Sequence, residues 1–565
     1  MKSDIEIAQS ATMQPIAAIA SKIGLESADT EQYGDYKAKI KLRVLEKLKD
    51  RPVGKYIFVT AINPTPLGEG KTVVNIGLSQ ALAKIGKSVV STLRQPSMGP
   101  VFGVKGGATG GGYSQVLPME DINLHFNGDF HAITSAHNLL AAMVDNHLHQ
   151  GNKLAFDVNN IFWNRVLDMN DRALRHMVIG LGGHTHGVPR ESSFDITAAS
   201  EIMAILSLAE NIDDLRARLE RLFVGATYAR KGIRASQLNA VGAMMALLKD
   251  AIKPNLVQTL EGVPCIMHTG PFANIATGNN SVIADKIALR LADYVVTECG
   301  FGADCGAEKL INIKCRQSGL RPSAAVIVAT VKALKMHGGA FDSVVGKKPD
   351  KALMEKVNMP ALEAGCDNLV KHIQNIRQFG IPPVVAINRF TSDTDQEIEA
   401  IRRIAEQAGA KSAVPINVWG EGGAGGTLLA EEVVKACEEK SELRFTYDVQ
   451  DSIEHKMSEI VRRIYGGKGI VLSKLAKLKI KIFRDEGVEQ LPVCIAKTHL
   501  SLSHDSSLKG RPKDFVVPID DIRCAAGAGF LYAIAGQMVT MPGLPSVPAA
   551  EAIDVDIHGS VKGLF

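Results

Sequence analysis

Residues 55–72 constrain the fold of this chain more than any other stretch. An apolar, β-rich run through residue 62 gives way to a loop rich in Gly and Pro, and that loop ends in Gly70-Lys71-Thr72. Apolar side chains then recur at helical spacing, at Val73, Val74, Ile76, Leu78, Leu82 and Ile85. The pattern predicts a strand, a phosphate-binding loop and the first turn of a helix.

The predicted loop carries the groups that bind nucleotide phosphates. Backbone N–H groups and the helix dipole attract anionic oxygens, Lys71 supplies a charge for the outer phosphates, and the Thr72 hydroxyl is placed to bind Mg2+. Thr65 stands where a standard phosphate loop has Gly, so an ordinary Gly-rich turn is the alternative. We predict that the nucleotide-binding residues are Thr65, Pro66, Leu67, Gly68, Glu69, Gly70, Lys71 and Thr72.

Composition narrows the class of protein. The chain has 565 residues, of which 46% are hydrophobic and 22% are charged, as in folded globular proteins and unlike disordered or fibrous ones. This length predicts about three or four compact units. The formal charge of +4 is small for such a chain, so we expect neither a nucleic-acid partner nor binding to an anionic membrane.

Other features of the sequence bear on location and redox state. The first residues lack the apolar core of a signal peptide, and Gly and Pro interrupt the longest uncharged run, residues 524–550, which argues against a membrane span. Eight cysteines are scattered without paired spacing, which predicts reduced thiols and a cytoplasmic protein. Cys299, Cys305 and Cys315 have poor spacing for zinc, so we expect no metal there.

Strand-like runs alternate with amphipathic helical segments along much of the chain. The runs cover residues 56–62, 88–93, 177–179, 264–268, 294–297, 324–330, 383–387 and 413–418. This alternation predicts an α/β fold with a mostly parallel sheet, in which ligands gather at the carboxyl ends of the strands.

Changes in pattern suggest three domains. We expect a P-loop nucleotide-binding domain over residues 1–365, a second α/β domain over residues 366–448 and a smaller C-terminal α+β domain over residues 449–565. In the last of these, a long helical pattern is expected to continue through Leu478 before short β-rich pieces near residues 493–496 and 515–519.

A second candidate site follows the run at residues 88–93. The second strand of a β-α-β unit often lies beside the first, so Arg94 is expected to face the phosphate loop from the neighbouring strand. Its planar fork suits a carboxylate or an acyl phosphate, and a surface salt bridge is the alternative.

Six glycines between Gly103 and Gly112 allow close backbone approach to a ligand or form a flexible lid. The following polar residues leave a Mg2+ or acid–base role open: Glu120, Asp121, His125, Asp129 and His131.

Two consecutive strand-to-helix units later in the chain each place an aromatic residue just past a strand end. Residues 384–390 end in Phe390, and residues 413–419 end in Trp419, before a Gly-rich loop. If the strands are parallel, both rings emerge on one rim, where they could hold a flat heteroaromatic ring. A single aromatic is more often part of the core, and the residues alone leave these two roles open.

Five motifs together resemble the formate–tetrahydrofolate ligase family, and the resemblance runs essentially from end to end. The motifs are TPLGEGKT at residues 65–72, LRQPS at 93–97, PMEDINLHF at 118–126, GPFANIA at 270–276 and MPGLP at 541–545. The resemblance implies ATP-dependent formylation of tetrahydrofolate. In this reaction formate attacks the γ-phosphate to give formyl phosphate, and N10 of tetrahydrofolate then takes the formyl group while ADP and phosphate leave.

The resemblance also implies residue roles and partners. It implies that Lys71, Arg94 and Asp304 are catalytic and that Phe390, Trp419 and Phe301 form the folate pocket, to which residues 366–448 contribute. The implied substrates are formate, ATP and tetrahydrofolate. The implied ions are Mg2+, held with ATP through Thr72, and an activating monovalent cation. The implied assembly is a homotetramer.

The chain departs from the family pattern at three positions. Gln95 stands where many members have Glu, and Thr277 and Asn279 replace a common His and Cys. These differences affect the local cation site and leave the reaction class unchanged.

Two other functions stay open: a P-loop ATPase that acts as a partner-binding switch without a folate acceptor, and a nucleotide-binding scaffold without turnover. Formate dependence of ATP consumption in the presence of tetrahydrofolate distinguishes them.

Overall fold

The main element of the fold is a sheet of twelve strands. The computed structural model describes residues 2–65, 68–103, 108–341, 350–536 and 538–564. The strands of the main sheet are β1 (Thr30–Gln32), β2 (Ala38–Ile40), β3 (Lys55–Ala61), β4 (Val89–Leu93), β5 (Gly110–Gly111), β6 (Ser114–Leu117), β7 (Asn255–Thr259), β8 (Pro264–Met267), β9 (Tyr294–Glu298), β10 (Pro322–Ala329), β11 (Pro383–Asn388) and β12 (Ala413–Ile416). The predicted α/β architecture with a mostly parallel sheet is confirmed.

The strand order places the carboxyl ends of seven strands at one edge. The order is β1-β2-β7-β8-β4-β9-β3-β10-β11-β12, with β5 and β6 attached at β7. In this spatial order, every neighbouring pair in the series β8-β4-β9-β3-β10-β11-β12 is parallel. Strand β9 lies between β3 and β4, so the prediction that β4 is the neighbour of β3 was wrong. The β-strand that separates them enters from much later in the chain, which a local β-α-β rule does not anticipate.

Both faces of the central strands are buried. In β3, Ile57 and Val59 pack with one hydrophobic cluster, whereas Tyr56 and Phe58 pack with another on the opposite face. Side chains alternate between the faces of a strand, so a strand covered on both sides must be apolar at consecutive positions. This is the reason residues 56–62, with Thr60 as the exception, are apolar at consecutive positions in the sequence.

Helices cover the sheet. The longer ones are α1 (Lys71–Lys84), α2 (Asp129–His149), α3 (Glu201–Leu208), α4 (Ile212–Glu220), α5 (Val241–Leu248), α6 (Val282–Leu291), α7 (Met359–Gln378), α8 (Asp395–Gln407), α9 (Thr427–Glu438) and α10 (Lys474–Asp485). Shorter α-helical segments are Asp4–Gln9, Ile16–Lys22, Arg43–Lys47, Met98–Phe102, Met119–Asn123, Arg316–Ser318, Val331–His337, Lys351–Glu355, Val418–Glu421 and Ile453–Glu459. No helix in the described ranges is both long and apolar enough to cross a lipid bilayer.

Small sheets complete the structure. Three of them are formed by the segment that follows α2, residues 156–234. They are Phe156–Ile161 with Phe223–Thr227 and Gly232–Arg234, Met177–Ile179 with Arg190–Ser192, and Arg165–Leu167 with Phe194–Ile196. Three lie near the C-terminus: Val493–Ala496 with Asp521–Ala525 and Phe530–Ile534, Gly469–Leu472 with Val516–Ile519, and Asp554–Val555 with Val561–Lys562.

The helical pattern expected to continue through Leu478 is interrupted. The helix that begins at Ile453 ends in a π-helical turn at Tyr465, and Gly466 then adopts a left-handed φ of +84°. A strand at Gly469–Leu472 separates it from α10. The Gly466-Gly467 pair breaks the helix because glycine readily adopts left-handed backbone angles and weakens a helix interior.

The main sheet continues across residue 365. Strands β11 and β12 extend the same sheet that the earlier strands form. Chain on both sides of the first predicted boundary therefore shares one sheet. The boundaries at 365/366 and 448/449 stay predictions.

Candidate active site

The loop between β3 and α1 contains two glycines with special backbone angles. Gly68 and Gly70 both have left-handed φ angles, +78° and +77°, which only glycine adopts without strain. A Cβ at Gly70 would lie 2.7 Å from the Asn388 side-chain nitrogen, so the position also has no room for a side chain. The predicted strand and helix are confirmed, with α1 beginning at Lys71, whereas phosphate binding by the loop between them stays a prediction. The predicted nucleotide-binding residues Pro66 and Leu67 lie outside the described residues.

Glu69 fastens this loop to the sheet. Its buried carboxylate accepts hydrogen bonds from the Thr65 backbone N–H at 2.7 Å and from the Thr330 hydroxyl at 2.6 Å. The Asn388 amide donates to the Glu69 carbonyl at 3.2 Å. Thr330 and Asn388 stand at the ends of β10 and β11, so the loop is held by two neighbouring strands. The Glu69 side chain therefore shapes the loop.

A buried carboxylate joins the loop to the next strands. Glu298, the last residue of β9, accepts a hydrogen bond from the Thr72 hydroxyl at 2.8 Å. Its other oxygen lies 3.3 Å from Arg94 Nε, and Arg94 also donates to the Pro271 carbonyl at 3.4 Å. Arg94 is thus at the predicted sheet edge, but it reaches the loop through Glu298. The ion pair between Arg94 and Glu298 is largely shielded from solvent, because the Glu298 side chain is buried and that of Arg94 is only 18% exposed.

The charge of Lys71 is sensitive to what occupies the site. Burial lowers the pKa of Lys71, and the Arg94 charge acts in the same direction. The carboxylates of Glu69 and Glu298 oppose this shift. Phosphate oxygens placed beside Lys71 would add negative charge and favour its protonated form.

The loop after β9 holds the predicted residues Phe301 and Asp304. Phe301 has a left-handed φ of +61°, which is unusual for a residue with a side chain, and its ring stacks on His499 with centroids 4.1 Å apart. Asp304 is buried, and its two oxygens meet Lys497 Nζ at 2.6 Å and Asn63 Nδ2 at 3.1 Å. Burial alone would raise the pKa of Asp304, but the charges of Lys497 and His372, together with the hydrogen bonds from Lys497 and Asn63, outweigh burial and the pKa is lowered.

Phe390 and Trp419 stand on one rim of the sheet. They follow β11 and β12, which are parallel neighbours, and their exposed fractions are 39% and 37%. Lys332 Nζ lies 4.0 Å from the Phe390 ring centroid. The Gly112 backbone lies against the Trp419 indole, since a Cβ there would come within 2.8 Å of ring atoms. The two strands are parallel, as the rim interpretation requires, and neither residue belongs to the core, whereas the role of the rings in folate binding stays a prediction.

Asp129, a candidate for a Mg2+ or acid–base role, belongs to a different buried network. Asp129 is buried, pairs with Lys39 at 2.7 Å and accepts hydrogen bonds from Gln95 at 2.6 Å and Asn255 at 2.8 Å. Gln95 therefore serves this buried network. Within the described ranges no three His, Cys, Asp or Glu side chains come together as metal ligands.

Sequence reasoning missed several residues that the structure brings to the site. Glu298 and Asn63 each directly follow a predicted strand, residues 294–297 and 56–62, so the rule that ligands gather at strand ends could have found both. Lys497 follows the strand Val493–Ala496 of a different small sheet. Nothing in its local sequence relates it to residue 304.

The sequence is similar to those of known ligases. The sequence model of the family described as formate–tetrahydrofolate ligase matches residues 2–565. The chain belongs to this family of ligases. A protein named formate–tetrahydrofolate ligase from Desulforamulus reducens is 59% identical over 563 residues, a span that covers 100% of this chain and 99% of the relative. The family assignment made from the five motifs is therefore confirmed.

Proposed function

We propose that the protein joins formate to tetrahydrofolate at the expense of ATP, with formyl phosphate as the intermediate. One observation carries this proposal: Lys71 and Thr72 begin helix α1, and Thr72 and Arg94 both contact the Glu298 carboxylate. It supplies backbone donors and cations where a phosphoryl group would be transferred. Family membership and the exposed aromatic rim support tetrahydrofolate as the acceptor.

Phosphoryl transfer depends mainly on positioning and on neutralising charge. A formate oxygen attacks the γ-phosphorus, the bond from phosphorus to the β,γ-bridging oxygen breaks, and ADP leaves. The Lys71 ammonium stabilises the outer phosphate oxygens, and the Arg94 guanidinium orients formate and then formyl phosphate. Arg94 can turn one side of its fork to this ligand while Glu298 holds the other.

The donors at the loop fit Mg2+. The Thr72 hydroxyl and the Glu298 carboxylate are hard oxygen groups 2.8 Å apart, beside the predicted phosphates. These residues would hold the ion, which supplies positive charge to the β- and γ-phosphate oxygens when it is bound. Glu298 also keeps the Thr72 hydroxyl oriented.

The acceptor side lies on the aromatic rim. Phe390 and Trp419, which follow neighbouring parallel strands, hold the pterin ring by stacking, and Phe301, in the loop after β9, completes the pocket. N10 of tetrahydrofolate then attacks the formyl carbon. The bond from that carbon to the phosphate oxygen breaks, phosphate leaves and N10 loses its proton, which gives 10-formyltetrahydrofolate.

Other implied properties are proposed with the same reaction. The buried oxygens Thr277 Oγ1 and Asn279 Oδ1 have no hydrogen-bond partner in the part of the chain that the structure describes. Buried oxygens without a partner suit an ion, so these residues would hold the monovalent cation. A homotetramer, a cytoplasmic location and the roles of the three predicted domains are further parts of the proposal, and they rest on the family resemblance.

One assay tests the proposal against its alternatives. We expect 10-formyltetrahydrofolate to form only when ATP, Mg2+, formate and tetrahydrofolate are all present, in equal amount to the ADP released. Omitting each substrate in turn is the control. ATP hydrolysis that ignores formate and tetrahydrofolate would instead favour the partner-binding switch, and nucleotide binding without turnover would favour the scaffold. Neither alternative gives the exposed aromatic rim a role.

A further inference from the structure

The C-terminal part of the chain reaches the candidate site. Residues 497–499, which we call the strap, directly follow the strand Val493–Ala496. The strap touches the loop after β9 at two points: Lys497 Nζ lies 2.6 Å from Asp304 Oδ2, and the His499 ring stacks on Phe301 at 4.1 Å with an interplanar angle of 18°. Two separate contacts between the same segments indicate a specific arrangement.

Lys497 is fixed in place by its surroundings. It is buried, and its three ammonium donors have three oxygen acceptors: Asp304, the Ser501 carbonyl at 2.6 Å and the Thr498 carbonyl at 3.1 Å. The Tyr465 ring lies 4.8 Å from the ammonium. Among the described residues, Lys497 is the only cation in ion-pair contact with Asp304. A buried carboxylate needs such a partner to remain charged.

Asn63 connects this pair to the phosphate loop. Its side-chain amide donates to Asp304 Oδ1 at 3.1 Å and to the His499 carbonyl at 3.2 Å. Asn63 stands between β3 and the phosphate loop, two residues before Thr65. The strap, the loop at Phe301 and the base of the phosphate loop therefore share one buried network of hydrogen bonds.

We propose that Lys497 is a positioning residue for the acceptor side of the reaction, and that the strap completes the site from the C-terminal part of the chain. Lys497 acts through Asp304, which holds the loop that carries Phe301, and His499 supports the Phe301 ring directly. This inference rests on the proposed function, because it assigns the strap to the tetrahydrofolate side. The nucleotide side keeps its own support from Glu69 and Glu298.

The first experiment compares two buried lysines of the C-terminal part. Lys497→Met should raise the KM for tetrahydrofolate by about tenfold or more and leave the Kd for ADP within about twofold of the parent. The matched control is Lys456→Met, because Lys456 is also buried but donates to the carbonyls of Glu489 and Leu491, away from the site. Lys456→Met should lower the melting temperature without changing the KM for tetrahydrofolate.

A double variant tests whether Lys497 acts through Asp304. Asp304→Asn with Lys497→Met removes both charges, and its KM for tetrahydrofolate should be no worse than that of Lys497→Met alone. If the increases in KM of the single variants Asp304→Asn and Lys497→Met multiply in the double variant instead, Lys497 does not act through Asp304 and the inference is wrong.

His499→Ala decides the question if Lys497→Met does not fold. His499 is only half-buried, and its loss should again weaken tetrahydrofolate use while ADP binding is retained. Unchanged KM values in both folded variants, or an equal loss of ADP and tetrahydrofolate binding, would overturn the positioning role. The unaltered protein is assayed in parallel. If it makes no formylated folate, the proposed function fails, whereas an active parent with unaffected variants refutes only this inference.

Discussion

The Thr72 hydroxyl donates a hydrogen bond to the Glu298 carboxylate over 2.8 Å, and this contact joins the first turn of α1 to the end of β9. The same carboxylate contacts Arg94 at the end of β4. The first turn of helix α1 and the ends of strands β9 and β4 thus place a hydroxyl, a carboxylate and a guanidinium side by side. This arrangement suits a site that must bind phosphate oxygens with a divalent cation.

Glu298→Gln tests the carboxylate at this junction. The change keeps the side-chain shape and removes the charge, so we expect kcat to fall by about a hundredfold and the Mg2+ concentration for half-maximal activity to rise. Initial rates measured over a Mg2+ titration check this. Glu432→Gln, on helix α9 beside Lys435, is the matched control and should behave like the parent. An unchanged Mg2+ titration for Glu298→Gln would refute the role given to Glu298.

Lys71→Ala tests the charge at the start of α1. Removing the ammonium should lower turnover by about a hundredfold or more, because the outer phosphates lose a stabilising charge in the transition state. The fold should remain intact by circular dichroism. Lys84→Ala, at the other end of the same helix, is the control and should keep full activity. Near-normal product formation by Lys71→Ala would exclude Lys71 from the site.

Arg94→Lys tests the planar fork. Lysine keeps the charge but cannot hold Glu298 and a ligand in the same geometry, so formate use should suffer more than ADP binding. The measurements are the KM for formate from kinetics and the Kd for ADP from calorimetry. Arg402→Lys, an exposed change on α8, is the control. Equal weakening of formate and ADP would argue against a specific role with the acyl phosphate.

Trp419→Ala tests the aromatic rim. We expect tetrahydrofolate binding to weaken by about 1 to 3 kcal/mol, because one stacking face is lost, while ATP binding hardly changes. The contrast is Trp163→Ala: Trp163 is buried and stacks on His137, so its loss should lower the melting temperature and affect both substrates alike. Unchanged tetrahydrofolate affinity in Trp419→Ala, or an equal loss for ATP, would defeat the stacking assignment.

Local sequence determined the elements of this protein. The continuous apolar run at β3 reflects a strand buried on both faces, and the glycines at positions 68 and 70 are required by left-handed backbone angles. The parallel neighbours β11 and β12 place Phe390 and Trp419 on one rim, as their matching positions after two strands predicted. Family motifs in the sequence were sufficient to identify the family.

Only the tertiary structure decided which elements meet. Strand β9 enters between β3 and β4 and brings Glu298 between Thr72 and Arg94, and the strap brings Lys497 to Asp304 from almost two hundred positions along the chain. Residue types and spacing describe short segments, whereas strand order and the pairing of buried charges depend on how distant segments pack. The sequence therefore determined the glycine-containing strand-to-helix junction and the rim, and long-range packing decided the carboxylate and the lysine that complete the candidate site.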